Sequence, residues 1–294
     1  MEIKSLFVIG AGAMGSGIAQ SAIAAGYRTF LYDIDYGRVE KALESIQGRL
    51  ARKVSKGKMT QEEMDTATAL LSGCSELAPA SEADMVIECI YEDFDAKEAI
   101  FHDVQRYAKE DVILASNTSS FSITSLAKAV KRPGRFIGMH FFNPVPVMKL
   151  LEITRGLATT DETLEAAREV GTRMGKVMIV SKDMPGFIVN RMLDPMGNEA
   201  VQLLDEGIGG VEDIDNGMKY GCNHPMGPLE LMDMAGLDVL LAVMETLYKE
   251  LGDSKYRPAP LLKKMVRAGW TGRKAGRGFY VYNEDGTRYP NPQL

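Results

Sequence analysis

Cysteine and histidine are scarce in this 294-residue chain, with three of each. Cys74, Cys89 and Cys222 lie far apart and form no CxxC pair, and His102, His140 and His224 fit no zinc spacing. A metal centre or a disulfide framework is therefore not expected to organise the fold; a reduced, metal-free protein in the cytoplasm is. No apolar run approaches the roughly 20 residues that a membrane span requires. The apolar N-terminal stretch up to Phe30 carries Glu2, Gln20 and repeated glycine, which does not suit the core of an export signal. A basic excess is missing too. With 34 Lys and Arg against 40 Asp and Glu, the net charge of -6 lacks the electrostatic footprint of nucleic-acid binding. The chain has no internal repeat and no low-complexity segment.

What is present is an ordinary globular composition, 45% hydrophobic and 25% charged, over a length that suggests two domains. Residues 3–9 are a short apolar run rich in β-formers, followed at once by Gly10-Ala-Gly-Ala-Met-Gly15. A small-residue helix should then run to about Ala25, ended by Gly26, and a second strand should cover 28–32. A polar helix is predicted over 36–50, leading into a basic segment with Arg49, Arg52, Lys53 and Lys56. Further strands are expected at 85–89, 112–115, 136–139, 150–153 and 176–180. Strands alternating with helices imply an α/β fold with a doubly wound, largely parallel sheet. After Pro185-Gly186 the apolar spacing becomes helical, as in Ile188, Met192 and Met196, or Leu237, Leu240, Leu241 and Met244. A boundary near Pro185 thus separates domain 1–185 from a smaller all-helical domain, 186–294. The glycine-rich tail 269–280 is expected to be a loop.

The GxGxxG run follows a strand, opens a helix and precedes an acid at the end of the next strand, which is the context a dinucleotide site requires. Gly10 allows the tight turn, Gly12 lets the backbone approach a pyrophosphate, and Gly15 allows close helix–strand packing. Ala13 and Met14 complete the turn. Asp33 is placed to accept from the adenosine ribose hydroxyls, a charged hydrogen bond contributing about 1.5–3 kcal/mol. The same carboxylate would repel an added phosphate, Asp35 adds negative charge and no arginine follows immediately, so NAD is expected rather than NADP. From the motif alone, FAD is the competing cofactor.

Two further stretches carry chemistry. Ala115-Ser-Asn-Thr-Ser-Ser120 places hydroxyl and amide side chains at the carboxyl edge of the sheet; on its own it equally describes a capped turn. In Met139-His-Phe-Phe-Asn-Pro-Val-Pro-Val-Met-Lys-Leu-Leu-Glu152, two prolines force a turn between His140 and Glu152. A strand–turn–strand path brings the carboxylate back against the imidazole, a pairing suited to proton transfer at a secondary alcohol.

Together, VIGAGAMGSGIAQ, SNTSS, HFFNPVPVMKLLE, DMPGFIVNR and NHPMGPLEL, in this order, resemble the L-3-hydroxyacyl-CoA dehydrogenases, particularly the single-function bacterial type acting on 3-hydroxybutyryl-CoA. The likeness covers essentially the whole chain. It implies a Rossmann-type NAD domain over 1–185, with a basic helical hairpin at about 36–70. It also implies a helical domain over 186–294 that closes over the acyl-CoA and forms a homodimer. By the same resemblance, His140 is the acid/base with Glu152 as its partner. Ser119 contacts the substrate's 3-oxygen near the nicotinamide, and Asn190 holds the reacting end of the substrate. Glu92, Lys97, Asn117, Asn143 and Lys274 match cofactor-side positions, and Arg52 and Lys56 match the grip on CoA phosphate; without the resemblance, those basic residues read as a solvated face. Asp93 departs from the pattern, where the family commonly has Asn. With one helical domain and no hydratase half, a stand-alone enzyme interconverting 3-hydroxybutyryl-CoA and acetoacetyl-CoA is expected. The competing readings are a sugar-acid dehydrogenase and a structural protein that retains cofactor binding.

Overall fold

In the structure, a computed structural model describing residues 2–294, the chain divides into two compact units, the first ending at Met184 and the second running from Pro185 to Leu294. The first unit opens with β1 (Ser5–Ile9), α1 (Ala13–Ala24), β2 (Arg28–Tyr32), α2 (Tyr36–Ser55), α3 (Gln61–Thr68) and β3 (Leu71–Cys74). It continues with β4 (Met85–Glu88), α4 (Phe94–Val104), β5 (Ile113–Ser116), α5 (Ile123–Leu126), β6 (Phe136–Phe141), β7 (Leu150–Arg155), α6 (Asp161–Arg173) and β8 (Val177–Lys182). The eight strands form one sheet in the order β3-β2-β1-β4-β5-β6-β7-β8, parallel except where β6 meets β7. The expected doubly wound, largely parallel sheet is therefore what the chain builds.

The patterning explains the layers. β1 is buried at every position, as a strand covered on both faces must be. Helix α1 is buried without interruption from Gly15 to Ile23, which accounts for its small, apolar sequence. Helix α2 buries only Val39, Ala42, Ile46 and Leu50, a single stripe at helical spacing. Strand order reverses between β1 and β4, so their carboxyl ends flank the crevice where this kind of sheet binds ligands.

The second unit contains α7 (Val189–Asp205), α8 (Val211–Gly221), α9 (Pro228–Ala235), α10 (Leu237–Leu251) and α11 (Pro260–Arg267), followed by β9 (Tyr280–Tyr282) and β10 (Arg288–Pro290). Its core gathers Val201, Leu229, Met232, Leu240, Met244, Leu247, Leu262 and Phe279. Two buried acids fasten the tail to the helices. Asp233 accepts from the backbone amides of Phe279 and Tyr280 at 2.9 Å each and from the Tyr282 hydroxyl at 3.0 Å. Asp215 accepts from the amide of Leu229 at 2.7 Å and the Tyr280 hydroxyl at 2.8 Å. A Cβ at Gly278 would lie 1.9 Å from Asp233 Oδ1, so only glycine lets the tail approach that carboxylate.

Three elements differ from the sequence expectations. Helix α2 runs on to Ser55 rather than stopping at 50, because Ala51, Arg52 and Lys53 are good helix formers and no glycine or proline lies between Leu50 and Gly57. Leu71–Cys74 forms an edge strand that its Ser and Gly conceal. The tail expected to be a loop ends in the β9–β10 hairpin, so the second unit is helical with a small sheet appended.

Candidate active site

The turn after β1 is built for close backbone approach. Gly10 sits at φ 103°, and its amide donates to Tyr32 O at 2.7 Å. A Cβ on Gly15 would lie 1.7 Å from Gly10 O, so the third glycine is required for α1 to start where it does. Gly12 is the N-cap of α1 and has nothing within 4 Å of its Cβ position; Ala13 is exposed and Met14 half-buried beside it. The helix N-terminus is thus open, with its free amides and dipole facing outward.

Gly10, Gly12 and Asp33 line a cavity of about 540 Å³ together with Ile34, Arg38, Cys89, Tyr91, Ala96 and Ile100. Asp33 is 9% exposed at the end of β2. Its Oδ2 accepts from the Ala11 amide at 3.0 Å and its Oδ1 from the Asp35 amide at 3.1 Å, which fixes the carboxylate beside the glycine turn. An open helix N-terminus and an oriented acid around one cavity at the β1/β4 switch point fit a dinucleotide: amides for the pyrophosphate, carboxylate for the ribose.

The ends of β4, β5 and β6 are joined by a polar network. Lys97 on α4 is 1% exposed, with its ammonium 2.6 Å from Glu88 Oε1 and 3.2 Å from Glu92 Oε2. Glu88, fully buried, also accepts from Ser116 Oγ at 2.6 Å and from the Ile90 amide at 2.7 Å. Glu92 grips the SNTSS loop, accepting from the Thr118 hydroxyl, the Ser119 amide at 3.2 Å and Ser120 Oγ at 2.8 Å. One ammonium cannot neutralise two carboxylates, and the fully buried acid bears the consequence. Burial pushes Glu88 up, which Lys97 only partly offsets. For Glu92, burial pushes upward but Lys97 and the loop hydroxyls outweigh it and hold the acid below its ordinary range. Burial pulls Lys97 down, but the two carboxylates outweigh it and raise it, so the ammonium stays charged.

His140 and Glu152 are register partners across the antiparallel β6–β7 pair. The imidazole Nδ1 lies 3.2 Å from Glu152 Oε2; the ring is 7% exposed and the carboxylate fully buried. Asn117 Oδ1 accepts from the amide of Phe141 at 2.8 Å, tying the SNTSS loop to the residue next to His140. Asn143 is exposed and precedes the cis peptide bond to Pro144. The Pro turn is anchored from β8's side by Lys176, whose ammonium donates to Met148 O at 2.8 Å.

Other sequence-selected residues fall elsewhere. Arg52 lies in the last turn of α2 and Lys56 is its C-cap, both exposed. Arg49 instead turns inward onto Gln20 Oε1 at 2.5 Å. The hairpin's second helix is not basic, since α3 carries Glu62, Glu63 and Asp65. In the second unit, Asn190 lies in the first turn of α7, and Lys274 pairs with Asp238 at 2.9 and 2.7 Å. Sequence reasoning missed Glu88, whose only signal is an acid closing an apolar strand. It also missed Arg38, which stands one helical turn beyond Asp35.

Fold and site together define a Rossmann-type dinucleotide-binding oxidoreductase with a helical second unit. The sequence profile of the 3-hydroxyacyl-CoA dehydrogenase NAD-binding domain matches residues 5–184, and that of the same enzymes' C-terminal domain matches 186–282. The chain belongs to the 3-hydroxyacyl-CoA dehydrogenase family, and its first unit is that family's NAD-binding domain. It is 50% identical over 284 residues to a probable 3-hydroxybutyryl-CoA dehydrogenase of Bacillus subtilis, covering 97% of this chain and 99% of the relative. It is 51% identical over 280 residues to a 3-hydroxybutyryl-CoA dehydrogenase of Bradyrhizobium diazoefficiens, covering 95% and 96%. A crystal structure of (S)-3-hydroxybutyryl-CoA dehydrogenase from Ralstonia eutropha superposes with a TM-score of 0.94 at 48% identity, covering 96% of this chain and all of that one.

Proposed function

We propose that the chain interconverts (S)-3-hydroxybutyryl-CoA and acetoacetyl-CoA, with His140 as the acid/base. The observation that carries this reading is the His140–Glu152 pair, set in register at the carboxyl edge of the sheet that bears the dinucleotide turn. The names of the relatives supply the substrate. Bound NADH supplies the hydride for carbon 3 of the ketoacyl chain. In that direction a protonated His140 donates through Nε2 to the oxygen at carbon 3, and in the reverse direction the neutral ring takes the proton back. Nδ1 remains committed to Glu152, which orients the ring and stabilises the imidazolium. Ser119, positioned by the Glu92 grip on its loop, is proposed to donate to the same substrate oxygen.

Motif position alone supports Asn190 as a substrate-positioning residue and Asn117, Asn143, Glu92, Lys97 and Lys274 as cofactor-side residues. The Lys97 geometry favours an indirect part, since its ammonium is buried against two acids. Arg52 and Lys56, exposed at the end of α2, are proposed to bind CoA phosphate. A cytoplasmic homodimer completes the proposal. All three cysteines are free thiols, and Met192 stands 75% exposed one turn from exposed Ile188.

The test follows NADH absorbance with acetoacetyl-CoA, with free acetoacetate and with a ketone derived from a sugar acid. Fast oxidation with the CoA ester alone is expected. NADH binding without turnover of the ester, or turnover of the sugar-derived ketone instead, overturns the assignment.

A further inference from the structure

Asp33 shares its end of the cofactor cavity with a cation. Arg38, in the first turn of α2, lines the same cavity. Its side chain is 70% exposed and held only loosely, with Nε 3.7 Å from Asp35 Oδ2. Asp35 has a second task as the N-cap of α2, accepting from the Gly37 amide at 2.9 Å. Asp33 is fixed by the amides of Ala11 and Asp35 and cannot turn away from the cavity without giving up both.

In dinucleotide folds an acid at this strand end reads the ribose 2′-hydroxyl, whereas a nearby arginine accommodates the 2′-phosphate of NADP. Both kinds of residue stand at this one cavity. We propose that Asp33, Asp35 and Arg38 together select the cofactor, with Arg38 a latent 2′-phosphate ligand that Asp35 neutralises. Asp33 repels the phosphate directly. Asp35 acts by adding a second negative charge and by occupying the guanidinium that would otherwise form a forked, charge-assisted pair with the phosphate. An exposed i,i+3 ion pair at 3.7 Å is weak, so Arg38 is released by removing one charge without cost to the fold. Asparagine caps a helix as well as aspartate does, so Asp35→Asn removes the charge and keeps α2.

This inference rests on the dinucleotide reading of the cavity and on nothing about the acyl substrate. Its test therefore reads binding rather than turnover. NADH and NADPH are titrated by nicotinamide fluorescence into the full chain as wild type, Asp35→Asn, Arg38→Ala and Asp35→Asn/Arg38→Ala. A further pair, Asp33→Ser/Asp35→Asn with and without Arg38→Ala, removes the direct repulsion. Asp35→Asn is expected to shift the NADPH/NADH affinity ratio toward NADPH by about fivefold, and the Asp33→Ser/Asp35→Asn variant by about 10- to 100-fold. Arg38→Ala should remove most of the Asp35→Asn gain and cut the Asp33→Ser/Asp35→Asn gain to the part due to lost repulsion. An unchanged ratio in Asp35→Asn, or gains left undiminished by Arg38→Ala, overturns the proposal. Failure of the wild type to bind either nucleotide would instead overturn the dinucleotide reading beneath it.

Discussion

Replacing Glu152 by glutamine removes one charge and almost no volume from a fully buried position. At an effective dielectric of about 20, unit charges separated by the 3.2 Å between His140 Nδ1 and Glu152 Oε2 attract by roughly 5 kcal/mol. That attraction exists only while the imidazole is charged, so it stabilises the positive charge that develops on the ring as it takes the substrate's proton. The amide oxygen can still accept from Nδ1, which retains part of the orientation but none of the charge stabilisation. Full loss of the term would slow the chemical step by about 10⁴-fold, and partial compensation leaves an expected fall in kcat of about 10²- to 10⁴-fold. The assay is steady-state NAD reduction with saturating (S)-3-hydroxybutyryl-CoA, the direction in which the imidazolium forms, with NADH affinity measured in parallel. Affinity should stay within about threefold of wild type, because Glu152 does not line the cofactor cavity. A Glu152→Gln enzyme that folds, binds NADH and turns over at the wild-type rate would refute the role assigned to this carboxylate.

Asp194 in α7 is buried with Oδ2 lacking a partner, and burial pushes its acid from 3.8 to about 7. The folded state then binds the proton more tightly than the unfolded chain, so the contribution to stability is full below 3.8 and is lost as pH rises through about 7. Asp194→Asn escapes that loss, and its advantage over wild type in urea denaturation should grow by about 2–3 kcal/mol from pH 5 to pH 8; a pH-independent difference contradicts this. Gly15→Ala forces a Cβ to 1.7 Å from Gly10 O. It should weaken NADH binding by at least about tenfold and destabilise the chain by about 1–3 kcal/mol, whereas wild-type affinity by fluorescence titration would show that the turn tolerates the methyl. Arg52→Ala/Lys56→Ala should raise KM for acetoacetyl-CoA by about tenfold at low salt with kcat unchanged; an unaltered KM would return both residues to a solvated face.

The parts of the molecule legible in the sequence are those where one local rule dominates. The glycine turn, the small-residue helix behind it and Asp33 lie within a single strand–turn–helix–strand unit, so their spacing alone places them. His140 and Glu152 were legible for a related reason. Two prolines close the path between them, and an antiparallel return restores register. Glu88 could not be seen in this way, because its partners Ser116 and Lys97 come from different strands and helices brought together only by the parallel sheet. Arg38 was obscured by position. It does not directly follow Asp33, and only the helical turn that Asp35 caps swings it back to the cavity. Strand β3 escaped notice because an edge strand buries little and its Leu-Ser-Gly-Cys run shows no alternation.

The His140–Glu152 geometry supports proton transfer by His140 in an NADH-dependent reduction of acetoacetyl-CoA. That transfer is tested most directly by comparing turnover in wild type and His140→Ala under saturating NADH, with nucleotide affinity measured on both. Rapid wild-type oxidation of NADH is expected, with a kcat at least about 10³-fold lower in a variant whose nucleotide affinity is retained. A His140→Ala enzyme that turns over within about tenfold of wild type would contradict that role for His140.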